Sequence, residues 1–263
     1  MRSPLLNRVL IAFSALLFTL SGTLTWAQSA SVNKDFWNDI LNDRGSAIMR
    51  QLAMGADPNS KSEEGQPAVM WAIQNNSWAV YDLFTGHQQF DPNITNENNE
   101  TPLMYLAILG ETQRGQDLVQ KGAKINRLGW TPLHYAASRG QLEFAQWLLN
   151  EGAFIHAPAP DGTTPLMMAA FSGDQKMVDL LLAAGADLRA VNINQHTAID
   201  WAESSKHNSL ANYLRRLSAL PKEQWAAGEA ALQPTPSSPA PSSSGEASSK
   251  SGSSRYFDLD RFD

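Results

Sequence analysis

Few side chains in this sequence could carry acid–base, nucleophilic or metal chemistry. There are five histidines and no cysteine, and no two histidines have the H-x-x-x-H spacing that puts two imidazoles on one helix face for zinc. Neither a G-x-S-x-G turn nor a glycine-rich phosphate loop is present. We therefore predict a protein that is not an enzyme, with no catalytic residues, no metal and no cofactor.

Composition also limits the partners. Hydrophobic residues make up 43% of the chain and aromatic residues 9%, as is usual for a soluble globular protein with a packed core. The formal net charge is -6, and no stripe of Lys and Arg is visible. Because nucleic-acid binding needs a basic surface, we do not expect a nucleic-acid partner.

The first residues have the pattern of an export signal. Arg2 and Arg8 precede an apolar run at residues 9–20, and a short stretch with small residues follows up to Ala27. This order predicts a secretory signal peptide at residues 1–27, with cleavage near Ala27 and Ala30 as the second choice. An uncleaved anchor is the alternative, but a spanning helix needs roughly 20 apolar residues. We expect a periplasmic or secreted protein without stable membrane insertion, and the lack of cysteine favours a bacterial periplasm.

A period of about thirty-three residues organises the rest of the chain. Similar triplets recur at steps of 30, 33 and 33 residues, and Gln66-Pro67 is a weaker copy further upstream. A Gly-Ala pair recurs out of phase with the triplets. The triplets are Thr101-Pro102-Leu103, Thr131-Pro132-Leu133, Thr164-Pro165-Leu166 and Thr197-Ala198-Ile199, and the pairs begin at Gly55, Gly122, Gly152 and Gly185.

Each period reads as two short helices. Thr131 suits a helix N-cap and Pro132 the first helical position, where its missing N–H costs nothing. Gly140 suits a left-handed C-terminal cap, and a bulkier apolar helix follows up to Gly152. Neither helix is long enough to be stable alone. Every unit must therefore bury its apolar face on the next, which predicts a one-dimensional stack.

Residues 131–153 and 164–187 resemble the ankyrin repeat, as found in exported bacterial proteins. The resemblance implies an all-α ankyrin-repeat solenoid of about five to six helix-turn-helix units with short β-turn fingers. It covers residues 33–220, with capping units at both ends, and it implies that His134 bridges backbone and hydroxyl groups. The repeats lie near 35–64, 65–98, 99–128, 129–161, 162–195 and 196–220.

Several positions depart from the family pattern. The link between Gly122 and Thr131 is three residues shorter than the link between Gly152 and Thr164, so we expect a stunted or bent finger before Trp130. Extra residues follow Gly86. Trp71 and Leu106 are interpreted as bulky residues at alanine positions, where they should alter the spacing of the inner helices.

The resemblance also implies where a partner would bind. Ankyrin proteins usually meet partners through the finger tips and the concave face of the inner helices. Finger residues directly before the helices include Gln66 and Glu100. The alternative is that the apolar members of this face fill the stack between repeats. Carried over by position, the predicted partner-binding residues are Ile73, Ile108, Leu109, Trp130, Ser138, Arg139 and Phe171.

Residues 221–263 are predicted to be a disordered Pro/Ser-rich tail. Residues 233–254 contain four prolines and ten serines. Such a segment has too few large apolar side chains to offset the entropy lost on ordering. Hydrophobicity returns in a short aromatic and acidic segment at Tyr256, Phe257, Leu259 and Phe262. This segment is a candidate recognition motif; it could instead fold back onto the protein's own groove or have no role.

We therefore expect a monomeric, non-catalytic module that binds another protein in the periplasm, with one dedicated partner whose identity stays open. Narrower alternatives are an immunity or antitoxin protein that neutralises an exported toxin, and a helper of envelope stress defence. A structural protein that organises the envelope, with the Pro/Ser tail as spacer, is a further alternative.

Overall fold

The computed structural model of the chain describes residues 34–232, so the predicted signal peptide and the aromatic tail segment lie outside the described part. Within it, twelve α-helices form six antiparallel pairs, followed by one 3-10 helix. The helices are α1 Lys34–Leu41, α2 Gly45–Ala53, α3 Ala68–Gln74, α4 Trp78–Gly86, α5 Pro102–Leu109, α6 Thr112–Gln120, α7 Pro132–Ser138, α8 Leu142–Asn150, α9 Pro165–Ser172, α10 Gln175–Ala183, α11 Ala198–Ser204, α12 Asn208–Ser218 and the 3-10 helix Lys222–Leu232.

The pairs stack in chain order. The inner helices α1, α3, α5, α7, α9 and α11 pack side by side, and each outer helix packs behind its own inner helix. A single hydrophobic core runs from Phe36 to Trp225 through all six units. The predicted all-α ankyrin-repeat solenoid is thereby confirmed. No helix between residues 34 and 232 is long and apolar enough to cross a membrane.

Short turns, here called fingers 1 to 5, project between consecutive units. Four of them close with one bond from a backbone N–H to the carbonyl four residues later. In the described part of the chain, finger 3, before Trp130, has no such bond. It is tied instead to finger 2, because the Arg127 guanidinium donates to the Asn99 carbonyl. The four closing bonds are Ser62 to Gln66 at 2.9 Å, Asn96 to Glu100 at 3.2 Å, Ala159 to Thr163 at 2.8 Å and Asn192 to His196 at 3.0 Å.

The interpretation of Trp71 as a residue at an alanine position is wrong by one residue. Pro67 is the N-cap of α3, as Thr131 is the N-cap of α7. Both helices also end the same way, in a left-handed residue nine positions later, Asn76 with φ 55° and Gly140 with φ 65°. In this register Trp71 therefore corresponds to Tyr135. Leu106 does occupy the alanine position and is fully buried.

The first unit ends the stack with polar side chains. Counted back from the Gly-Ala pair, Gln51 in α2 takes the position of Leu148, which is buried against its neighbours in α8. Gln51 Nε2 donates to Asp39 Oδ2 at 2.9 Å, and Arg44 pairs with the same carboxylate at 3.3 Å. A polar end face is what a terminal repeat needs to stay soluble.

The folded part continues beyond Leu220, where the disordered tail was predicted to begin. The 3-10 helix Lys222–Leu232, here called the strap, packs against α10 and α12. Trp225 is 2% exposed, and its Nε1 donates to the Leu220 carbonyl at 3.2 Å. The predicted boundary is corrected to residue 232, because one buried indole anchors a stretch whose other residues are mostly small or polar.

Candidate functional site

Ile73 does not lie on the concave face, contrary to the prediction. The one-residue register error for α3 put it level with Ser138, whereas its true counterpart is Ala137. Its side chain is 0% exposed. In the structure the position on the concave side belongs to Gln74, which is partly exposed.

Ile108 and Ser138 have the predicted register, but they too are buried. Ser138 Oγ donates to the Tyr135 carbonyl at 2.8 Å, and Gln141 of the next unit donates to the Ile108 carbonyl at 2.9 Å. The middle inner helices are covered by helices on both sides, which leaves this row little solvent access. Ile108 therefore fills space between repeats, which was the alternative to a role in binding. Ser138 is likewise buried between repeats.

The other four predicted residues keep a solvent-facing part. Leu109, Arg139 and Phe171 are partly exposed on three consecutive inner helices. The Phe171 ring meets Trp201 of the next inner helix edge to face, with centroids 5.7 Å apart. This strip, here called the groove strip, offers apolar surface with one guanidinium in its middle.

Glu100 organises a second group of residues where fingers 1 to 3 meet the inner helices. Tyr135 Oη donates to Glu100 Oε1 at 2.8 Å, and Tyr105 Oη donates to Glu100 Oε2 at 3.2 Å. Asn96 donates to the same oxygen at 2.6 Å, and Gln66 Nε2 donates to Tyr105 Oη at 3.0 Å. One carboxylate thus joins side chains of three consecutive units in what we call the carboxylate corner.

Trp130 completes this corner. Its ring meets Tyr135 edge to face at 6.4 Å and His134 at 5.2 Å between centroids. Trp130 is only partly buried, so an indole is held in place by fixed neighbours and still reaches solvent. Such a pre-ordered aromatic is suited to binding, because little side-chain entropy remains to be lost.

The repeat pattern predicts that Gln66, Glu100 and Trp130 lie on the fingers, but the two tyrosines that contact them were not among the predicted site residues. The signal was available in the period, because Tyr105 and Tyr135 stand 30 residues apart at the same position of their units. The period does not predict that Glu100 accepts hydrogen bonds from both hydroxyls, because this depends on how the units stack.

His134 lies under this corner and is fully buried. Its Nε2 is 3.0 Å from the Thr163 carbonyl of finger 4. Because a carbonyl can only accept, Nε2 carries the proton. Nδ1 therefore accepts from the Thr131 backbone N–H at 3.2 Å and contacts the Thr131 hydroxyl at 2.9 Å. The bridging role implied by the resemblance matches this geometry, which makes His134 a structural residue.

The burial of His134 predicts a pH-dependent stability. Burial lowers the pKa of His134 to about 4, and the bond to Thr163 and the nearby Asp161 only partly oppose it. Between about pH 4 and 6.5 the unfolded chain binds a proton that the folded chain does not. The free energy of unfolding is therefore lowered as the pH falls from 6.5 towards 4, and no loss from His134 occurs above pH 6.5. The total loss is roughly 3 kcal/mol, at 1.36 kcal/mol per pKa unit.

Urea unfolding at several pH values, compared with the His134→Met variant, isolates this contribution from that of the carboxylates. The difference between the two proteins should shrink between pH 6.5 and 4. A difference that stays constant over this range would show that His134 is protonated in the fold.

Residues 34–232 contain no group of three or more His, Asp or Glu residues that could hold a metal ion. The groove strip and the carboxylate corner supply apolar contact, aromatic surface and fixed hydrogen-bonding groups. This chemistry is that of macromolecular recognition.

Two comparisons with known proteins agree with this architecture. A family model described as ankyrin repeats (3 copies) matches residues 69–159 and 155–222. A Danio rerio protein that bears the name palmitoyltransferase ZDHHC13 is 27% identical over 192 residues, which are 72% of this chain. The alignment spans only 24% of that protein, so the activity in its name is not carried over.

Proposed function

The chain belongs to the ankyrin-repeat family, whose repeats form protein-interaction modules, and on this premise we propose that it binds one dedicated protein partner after export, in the periplasm, without catalysing a reaction. The export signal that the sequence predicts at residues 1–27 supports the location. The observation that carries the binding proposal is the carboxylate corner with its partly exposed Trp130.

The corner has the properties of a binding hot spot. Trp130 stands beside Tyr135, whose hydroxyl is fixed by Glu100. A partly exposed tryptophan among fixed polar groups can lose its remaining water contact when a partner covers it. The groove strip with Leu109, Arg139 and Phe171 lies at the opposite ends of inner helices α5, α7 and α9 and offers a second contact area.

Replacement of Trp130 by alanine is expected to weaken partner binding about 30-fold, since a hot-spot side chain contributes about 2 kcal/mol or more. The tagged exported protein would be used to capture its partner from a periplasmic extract, and the affinity for the captured protein would then be measured. The nature of that protein, a toxin or a stress-defence enzyme, decides between the two narrower roles.

Met54→Ala is the matched control, because Met54 is a highly exposed apolar residue in the first unit and lies outside the corner. Glu100→Gln is a second variant that preserves shape and removes charge. Circular dichroism must show that each variant is folded. Equal binding by Trp130→Ala, Glu100→Gln and the unchanged protein would overturn the assignment of this surface.

A further inference from the structure

The finger tips change from acidic to apolar along the stack. Fingers 1 and 2 carry exposed Glu63, Glu64 and Glu97, which outnumber the one exposed cation of these fingers, Lys61. Fingers 3 to 5 carry exposed apolar residues instead, with Leu128 97% exposed and Ile193 69% exposed. We call this second set the apolar ridge: Leu128, Pro158, Pro160, Val191 and Ile193.

The ridge is continuous across the three fingers. The Ile193 backbone N–H donates to the Asp161 carbonyl at 2.9 Å, which joins fingers 4 and 5. Fingers 3 and 4 also lie close together, because a Cβ placed on Gly129 would be 3.7 Å from the Pro160 ring. Adjoining exposed apolar side chains of this kind usually mark a surface that another group covers.

We propose that residues 256–262 of the same chain cover the apolar ridge. Between residues 233 and 254 there is no aromatic residue and no Leu, Ile, Val or Met. The next large apolar side chains are Tyr256, Phe257, Leu259 and Phe262, four within seven residues. The segment therefore supplies apolar groups to a ridge that has no cover within the described part.

The connecting chain has a suitable length. The strap starts beside the base of finger 5, because Lys222 donates to Asp187 at 3.4 Å and Arg189 lies 5.0 Å from the Trp225 ring centroid. It then runs along α10 and α12, where Gly228 lies close to Asp179 and Tyr213, and the connecting chain leaves from its last residue, Leu232. A flexible chain of 23 residues, the number between Leu232 and Tyr256, has a root-mean-square span of about 26 Å and can extend to about 75 Å. Three adjacent units cover about 20 Å, since packed helices lie about 10 Å apart. A tether that matches the span gives a millimolar effective concentration.

Charge favours the same end of the stack. The segment from Arg255 to Asp263 contains three aspartates and two arginines. The exposed cations Lys124 and Arg189 lie at the bases of fingers 3 and 5, where they can attract the aspartates. The glutamates of fingers 1 and 2 repel a segment with excess negative charge. The proposed docking does not depend on the proposed partner. As a consequence, residues 256–262 would cover the apolar ridge until another group displaces them.

The absence of cysteine makes a direct distance measurement possible in the full chain. Nitroxide labels would be placed on Ser254→Cys and Asn194→Cys, and their separation measured by pulsed dipolar spectroscopy in dilute solution. Docking predicts a single narrow distance peak. In the ridge variant Leu128→Ser/Ile193→Ser the peak should be replaced by a broad distribution centred at about 26 Å or more, as for a free tether.

Two further variants sharpen the test. Substituting the four apolar residues of the segment by serine should abolish the narrow peak in the same way. Met49→Ser/Met54→Ser removes two exposed apolar residues of the first unit and should leave the peak intact. The proposal is overturned by a broad distribution in the unmutated chain or by a peak that persists in the ridge variant. A peak that disappears on dilution also overturns it, since the ridge would then bind a second copy.

Discussion

His134→Ala is expected to lower the free energy of unfolding by about 3 to 4 kcal/mol. The imidazole joins two units, because it accepts from the Thr131 N–H of its own helix and donates to the Thr163 carbonyl of the next finger. Alanine leaves the Thr131 N–H buried without an acceptor, at roughly 1 to 3 kcal/mol. The Thr163 carbonyl loses one of its two donors and keeps the Ala159 N–H. Alanine also leaves a cavity where the ring was.

His134→Met is the control that the chain itself provides. Methionine occupies the same position in three other units, as Met70, Met104 and Met167. In two of them, Met104 Sδ accepts from the Thr101 N–H at 3.3 Å and Met167 Sδ from the Thr164 N–H at 3.4 Å. Methionine at position 134 should therefore restore the acceptor for Thr131 but not the donor for Thr163. We expect it to recover about half of the loss.

Urea unfolding followed by circular dichroism at pH 7.5 measures these differences. A cost below about 1 kcal/mol for His134→Ala would mean that the bridge contributes little beyond ordinary packing. Equal stabilities of the alanine and methionine variants would mean that the sulfur does not replace the imidazole as acceptor.

The sequence predicted the fold well wherever a unit carries both of its markers. Thr131 and Gly140 fix the start and end of α7, and the structure places both as expected. In the unit of α3 neither marker is present, because Pro67 stands at the threonine position and Asn76 at the glycine position. An alignment of Gln66-Pro67 with Thr131-Pro132 therefore assigns each residue of α3 to a position one too late in the repeat.

The burial of a side chain on the concave side could not be predicted from its position within one unit. Ser138 and Phe171 occupy the same position, yet Ser138 is buried and Phe171 is partly exposed. The difference depends on side chains of adjacent units, such as Trp201 beside Phe171. The carboxylate corner has the same origin, because Glu100 and Tyr135 are 35 residues apart and meet only after two units have stacked.

At the end of the folded part, composition is a poor guide to structure. The strap has a low content of bulky residues, so composition predicts that the folded repeats end at Leu220. A short helix can nevertheless be held by a single large side chain if the stack offers a site for it. Trp225 finds such a site between α10 and α12, with Arg189 and Lys222 near its ring.

Trp225→Ala is accordingly expected to release the strap and to lower the stability of the last unit by about 3 to 5 kcal/mol, the usual cost of removing a buried large aromatic side chain. The loss should concentrate at this end, because each unit of a stack contacts only its neighbours. Limited proteolysis should then cleave within residues 221–232, which are protected in the unchanged protein, and urea unfolding should begin earlier. Glu223→Ala, an exposed change on the same helix, should alter neither measurement. Rapid cleavage of the strap in the unchanged protein, or no effect of Trp225→Ala, would restore the domain boundary at Leu220.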